Sequence, residues 1–245
     1  MKTLKLYLLF ISFGISTLGF TQEHLKHESW TKLLAEYVSD EGNVNYAGIK
    51  KEEAKLDAYL KVLSENHPKD SWDKDDQLAF WINAYNAFTV KLIVKNYPVK
   101  SIKDLGGSIY KVNTAWDIKF IKIGEETYDL NNIEHDIIRK DFEEPRIHFA
   151  VNCASVSCPR LRNEAYVGSK LDKQLDDQAK TFINDKSKND IQAKTAKLSK
   201  IFRWFKGDFE KGKQTVEEFI NKYSKVKITK KTEIDFNDYL WDLNE

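Results

Sequence analysis

Cysteine is nearly absent from this 245-residue chain: there are two, beside four prolines, ten glycines and one methionine. Two cysteines exclude a disulfide-dense scaffold, and they lack the pair-plus-pair spacing of a zinc site. So little proline and glycine excludes collagen-like and low-complexity chains. A surplus of one charge is lacking too. The 39 Lys+Arg stand against 38 Asp+Glu, so no cationic excess exists to bind a nucleic acid. Beyond the first twenty residues no second long apolar run follows, which leaves nothing to hold a processed chain in a membrane. Nor is there a Walker loop, a dinucleotide glycine fingerprint, an HExxH or a GxSxG. The expectation is no metal, no cofactor, and a peptide or small-molecule substrate as the partner of a monomer.

What is present is core material: 41% hydrophobic residues, 13% aromatic, six of them tryptophan. Lys2 and Lys5 precede an apolar run from Leu6 to Phe20, and the small residues Gly19 and Thr21 precede the first acid, Glu23. That order describes a secretory signal over residues 1–21, cleaved after Thr21. Residues 22–245 then form a single exported domain, periplasmic or secreted, with a formal charge of about −1 once Lys2 and Lys5 are removed.

The mature segment reads as alternating helices and short strands. Trp30, Leu33, Leu34 and Tyr37 make one helical stripe, and Leu56, Tyr59, Leu60 and Leu63 a second within residues 50–65. Residues 75–97 are apolar all round, the pattern of a helix buried on most sides. Ile118 to Ile123 and Thr127 to Leu130, around Gly124, read as a hairpin after the Gly106-Gly107 stretch. Asn131 with Glu134 resembles a capping box opening a helix over 132–141. Residues 146–152 alternate apolar and polar, which predicts a half-buried strand ending at Cys153. Leu171, Leu175, Ala179 and Phe182 mark another helix, 190–199 a polar strand or loop, and 201–223 two short helices split near Gly212. The tail, with Ile234, Phe236, Tyr239, Leu240 and Trp241, is too apolar to hang loose. The expected fold is one α+β domain, several helices around a small, mostly antiparallel sheet.

Chemistry concentrates in Arg146 to Arg162. A nucleophile at the point where a strand leaves the core is exposed on a held backbone, and Cys153 stands there. Cys158 at the start of the next segment has the setting of a lowered thiol pKa. An exported Cys153–Cys158 pair reads either as a disulfide or as two free thiols, one functional. A cysteine nucleophile needs a base, usually histidine. His24 and His27 lie by the mature N-terminus and His67 in a polar turn, which leaves His135 and His148. Strand alternation sets His148 and Asn152 on one face and Cys153 on the other, so His135 is the expected partner and His148 a supporting residue. Asn83 and Asn86 in the buried helix either hold a crossing loop or act on an imidazole or oxyanion. Arg160 and Arg162 have the chemistry to grip a carboxylate or phosphate, or else pair with surface acids.

Four stretches in order carry a resemblance: Phe80 to Ala87, Ile133-Glu134-His135, Arg146 to Cys153 running on to Ser157-Cys158-Pro159, and Leu198-Ser199 to Phe205 with Asp208-Phe209. Over residues 75–210 the chain resembles the domain of unknown function 547 family, as an exported bacterial member. The resemblance implies that the family's cysteine and histidine positions fall on Cys153, Cys158, His135 and His148, and it brings no assigned activity. Two functions are therefore weighed. One is a cysteine-dependent hydrolase or acyltransferase on amide bonds, built on a papain- or transglutaminase-like scaffold. There Cys153 is the nucleophile, His135 the base, Glu134 or Asn83 the orienting group, and Arg160, His148 and Asn86 contact substrate. The other is a non-catalytic envelope binding module clipped by a Cys153–Cys158 disulfide.

Overall fold

The apolar run that begins at Leu78 becomes the centre of the molecule. In the computed structural model, which describes residues 25–106 and 114–245, it forms helix α4 (Lys74–Asn96), buried continuously from Leu78 to Val90. Asp75 and Asp76 in its first turn and Lys95 in its last complement the helix dipole. Helices α2 (Tyr46–Lys51) and α3 (Glu53–Glu65) pack on it, and α1 (Glu28–Tyr37) packs on those two. Trp30 of α1 stacks on Tyr59 of α3 with ring centroids 5.3 Å apart. His27, expected in a loose tail, is buried and shares a 2.6 Å hydrogen bond with that tyrosine's hydroxyl. The proposed signal segment with His24, and Gly107, lie outside the described residues.

The expected hairpin is present as β1 (Ile121–Ile123) and β2 (Glu126–Tyr128), antiparallel, turning at Gly124 with φ +62°. The helix after it starts differently from expectation. Asn131 caps nothing and instead donates to Asp117 at 2.7 Å. Asp129, two residues earlier, accepts the Asn132 N–H at 2.7 Å, and Asn132 accepts the Asp129 N–H in return. The turn so started is π-helical over Asn132–Ile138 before tightening into α5 (Arg139–Asp141). Single π turns of this kind gather at functional sites.

The strand expected over 146–152 is not formed. Pro145 presets the first φ of a turn and Glu144 caps the Arg146 N–H, so Pro145–Phe149 is a 3-10 helix. Ile147, His148 and Phe149 are all buried, which breaks the alternation. The extended chain that follows finds its backbone partners in side-chain amides instead of a sheet. Asn86 of α4 bridges Ala150 O at 2.9 Å and Asn152 N at 2.8 Å. Gln178 of α6 (Leu171–Asn184) holds Phe149 O and Arg160 O. Asn152 ties its own loop, reaching Pro159 O and the Ala154 N–H.

Among the described residues two small sheets result rather than one encircled by helices. Beside the hairpin, β3 (Asp190–Ile191) pairs antiparallel with β4 (Thr195–Leu198). A fifth strand, β5 (Glu233–Phe236), pairs parallel to β4, with Ala196 opposite Ile234 and Leu198 opposite Phe236. That pair is parallel because α7 (Ile201–Trp204), α8 (Lys206–Phe209) and α9 (Val216–Tyr223) supply a crossover between the two strands, and the other two pairings keep the sheets mostly antiparallel, as expected. The fold is mixed helix and sheet, and nothing in these small sheets supports the papain- or transglutaminase-like scaffold. Among the described residues no helix is long and apolar enough to cross a membrane.

Apolar side chains collect into two clusters, one around α4 and one of phenylalanines joining Phe149 to Phe182, Phe202, Phe209 and Phe219. The tail then runs back past the cysteine turn, with Val156 N–H on Asp242 O at 2.8 Å and Ser155 bridged to Leu243.

Candidate active site: a thiol pair in an aromatic-walled cavity

The junction of the two clusters is hollow. A cavity of about 230 Å³ is lined by Tyr85 of α4, Glu134 and His135 of the π turn, and His148 of the 3-10 turn. Cys153, Cys158, and the rings of Trp116, Trp204, Phe205, Tyr239 and Trp241 complete its wall.

The two sulfurs are not bonded to each other. Cys158 Sγ accepts the Cys153 backbone N–H at 2.9 Å, and the Tyr239 hydroxyl lies 3.4 Å from both sulfurs. Ser155 Oγ sits 3.3 Å from Cys153 Sγ. Burial alone would raise the Cys158 pKa. The Cys153 thiol, the Tyr239 hydroxyl, the Cys153 N–H and Ser155 all stabilise its thiolate, and the balance brings it down to about 7. Cys153 is pushed up, first because its thiol proton is held by Cys158 and then by burial. The pair therefore gives up its first proton from Cys158. Ala154 between them sits at φ +58°, a left-handed conformation that costs a non-glycine residue about 1 kcal/mol.

Both histidines line the cavity. His148 is buried, stacks on Phe205 at 3.9 Å, and donates from Nε2 to Asp208 Oδ2 at 2.8 Å. Burial lowers its pKa against the upward pull of Asp208, so the ring is neutral. Nδ1 then carries a free lone pair, and it has no partner among the described residues. Asp208 is held well below the usual carboxylate range: burial opposes this, but His148 and Arg139 outweigh it. Arg139 donates from Nε to the same Asp208 oxygen at 2.6 Å and from Nη1 to Nδ1 of the exposed His135 at 2.7 Å. His148, Asp208, Arg139 and His135 thus form one hydrogen-bonded chain whose two histidine ends line the cavity.

The remaining residues singled out from the sequence divide plainly. Asn83 does not line the cavity: its amide bridges Tyr166 N and O at 2.9 and 2.7 Å. Asn86 likewise holds the loop that leads to Cys153. Arg160 borders a second hollow of about 570 Å³, and its guanidinium is spent on Asp177, Gln178 and Asp40 O. Cys158 and Pro159 border both hollows. Among the described residues no group of three or more His, Cys, Asp and Glu is placed to hold a metal ion. Asp208, Arg139, Tyr85 and Tyr239 were not chosen by sequence reasoning. Asp208 had a signal in the Phe205 to Phe209 motif, and Tyr239 in the apolar tail.

Fold and cavity together define a mixed helix-and-sheet protein whose thiol pair opens onto an aromatic pocket. Residues 69–183 match the family model described as "Protein of unknown function, DUF547", which supports assigning the chain to that family. The matched segment contains α4, the π turn, both cysteines and nearly all of α6, whereas Asp208, Tyr239 and three of the wall rings lie beyond it. No curated protein and no solved structure matches the chain.

Proposed function

We infer that the protein is an exported, cysteine-dependent hydrolase or acyltransferase acting on amide bonds, with residues 22–245 as its working domain. The supporting observation is the Cys158 sulfur, set up for ionisation near neutrality by the Cys153 N–H and the Tyr239 hydroxyl, in a cavity shared with an Asp208-bound neutral histidine. The Cys158 thiolate attacks the amide carbonyl carbon, the C–S bond forms and the C–N bond breaks. His148, having taken the thiol proton, returns it to the departing amine. Water or a second amine then takes the acyl group, restores the thiol, and closes the cycle.

The test is intact mass after iodoacetamide treatment without reductant, across a pH series. One thiol alkylating quickly near pH 7, and losing that rate in Cys158→Ser, is the expected result. A mutual disulfide that resists mild reduction would overturn the reading in favour of a binding module. A His148→Gln variant that keeps thiol reactivity but loses turnover in an amidase and acyl-transfer screen would assign the base.

A further inference from the structure

Glu134 is a buried acid in the cavity wall that this chemistry leaves unused. It is 7% exposed, lines the cavity, and its carboxylate receives no hydrogen bond and no ion pair among the described residues. The neighbouring charges do not compensate it. His148 is neutral, and the Arg139 guanidinium is already shared between Asp208 and His135. A carboxylate so placed faces the cavity with no cationic side chain among the described residues to pair with it, and a ligand that fills the cavity would have to supply that partner. An anionic ligand would meet both this carboxylate and the Cys158 sulfur, and an uncharged one would displace water from Glu134 without replacing it by a counter-charge.

The walls fit a cation as well. Trp204 and Trp241 stack with centroids 6.2 Å apart at 24°, Trp116 meets Trp241 edge-on at 5.7 Å, and Tyr239 lies 4.6 Å from Trp241. Indole faces attract ammonium groups and cover alkyl chains. Trp204 is 47% exposed, so it forms a rim that a ligand can reach. A hollow of about 230 Å³ holds the space of roughly eight waters, enough for a four- or five-carbon alkyl chain.

We propose that the cavity binds the primary ammonium group of an alkylamine, with Glu134 as its ion-pair partner and Trp116, Trp204 and Trp241 along its alkyl chain. The amine side of the amide bond made or broken at the thiol is then of the lysine type. That last step rests on the acyl-transfer reading; the amine site itself does not.

The experiment compares n-butylammonium, n-butanol and butyrate, titrated calorimetrically at pH 7 against wild type and against Cys153→Ser/Cys158→Ser. The ammonium ion is expected to bind about ten-fold or more tightly than the alcohol, equivalent to about 1.4 kcal/mol, and butyrate not to bind. Glu134→Gln should abolish that preference with its near-UV circular dichroism intact, and Trp204→Leu should weaken all binding. Alcohol binding as well as the ammonium ion, or Glu134→Gln leaving the preference unchanged, overturns the proposal. Ammonium binding to the doubly substituted chain beside an inert wild-type thiol sinks the acyl-transfer reading and keeps the amine site. A reactive thiol without ammonium binding does the reverse.

Discussion

Tyr239→Phe isolates the hydroxyl that the tail delivers to the thiol pair. The oxygen lies 3.4 Å from Cys153 Sγ, Cys158 Sγ and Ser155 Oγ, while the ring packs on Trp204 and Trp241 at 4.8 and 4.6 Å. Phenylalanine keeps the packing and removes only the donor. A hydrogen bond to a charged group is worth about 1.5–3 kcal/mol, and the long O···S contact belongs at the lower end, which is about one pKa unit. Cys158, near 7 in the native protein, should move to about 8. At pH 7 the ionised fraction then falls from about one half to about one tenth, so alkylation should slow about five-fold. Above about pH 9 both proteins are ionised and the rates should converge. The assay is the pseudo-first-order rate of iodoacetamide addition, followed by intact mass between pH 5.5 and 9.5. An unmoved midpoint would refute the assignment of the anion to this hydrogen-bond cluster. A loss equal at every pH would mean that the substitution altered access rather than ionisation.

Asn86→Ala should cost about 3 kcal/mol in urea unfolding, because Ala150 O and the Asn152 N–H are both left unpaired in the interior; a loss under 1 kcal/mol would refute that accounting. Burial lowers the His27 pKa from 6.5 to about 4, so its neutral form favours the fold above pH 6.5 and that contribution, about 3 kcal/mol, disappears as the pH falls toward 4. Unfolding free energies measured across that range should show the decline, and His27→Asn should flatten it; an unchanged slope would assign the acid sensitivity elsewhere.

Helices were legible in the sequence wherever burial follows a local period. Residues 75–97 needed no partner to announce α4, since a segment apolar on every side has only the interior to occupy. The hairpin around Gly124 and the stripe of α6 were equally plain. Residues 146–152 misled because short apolar alternation does not distinguish a strand from a tight turn. Pro145 and the Glu144 cap chose the turn, and amides from α4 and α6 replaced the sheet partners that a strand would have needed. The Asn131–Glu134 spacing misled in the same way. Asp129 accepts the free N–H instead, and the Glu134 side chain stands in the cavity wall with no hydrogen-bond partner among the described residues.

The sequence by itself determined the inventory: two cysteines, two central histidines, a buried amide-bearing helix and an aromatic tail, on a chain whose family is legible in its motifs. Only the tertiary structure decided which of these meet. His148 finds Asp208 across 60 residues and Cys153 finds Tyr239 across 86. Such distances carry no local period, because hydrogen bonds between remote elements depend on how the helices pack and where the tail returns. The pKa of a thiol follows from those neighbours, so the choice between Cys153 and Cys158 as the ionised sulfur was never written in their spacing.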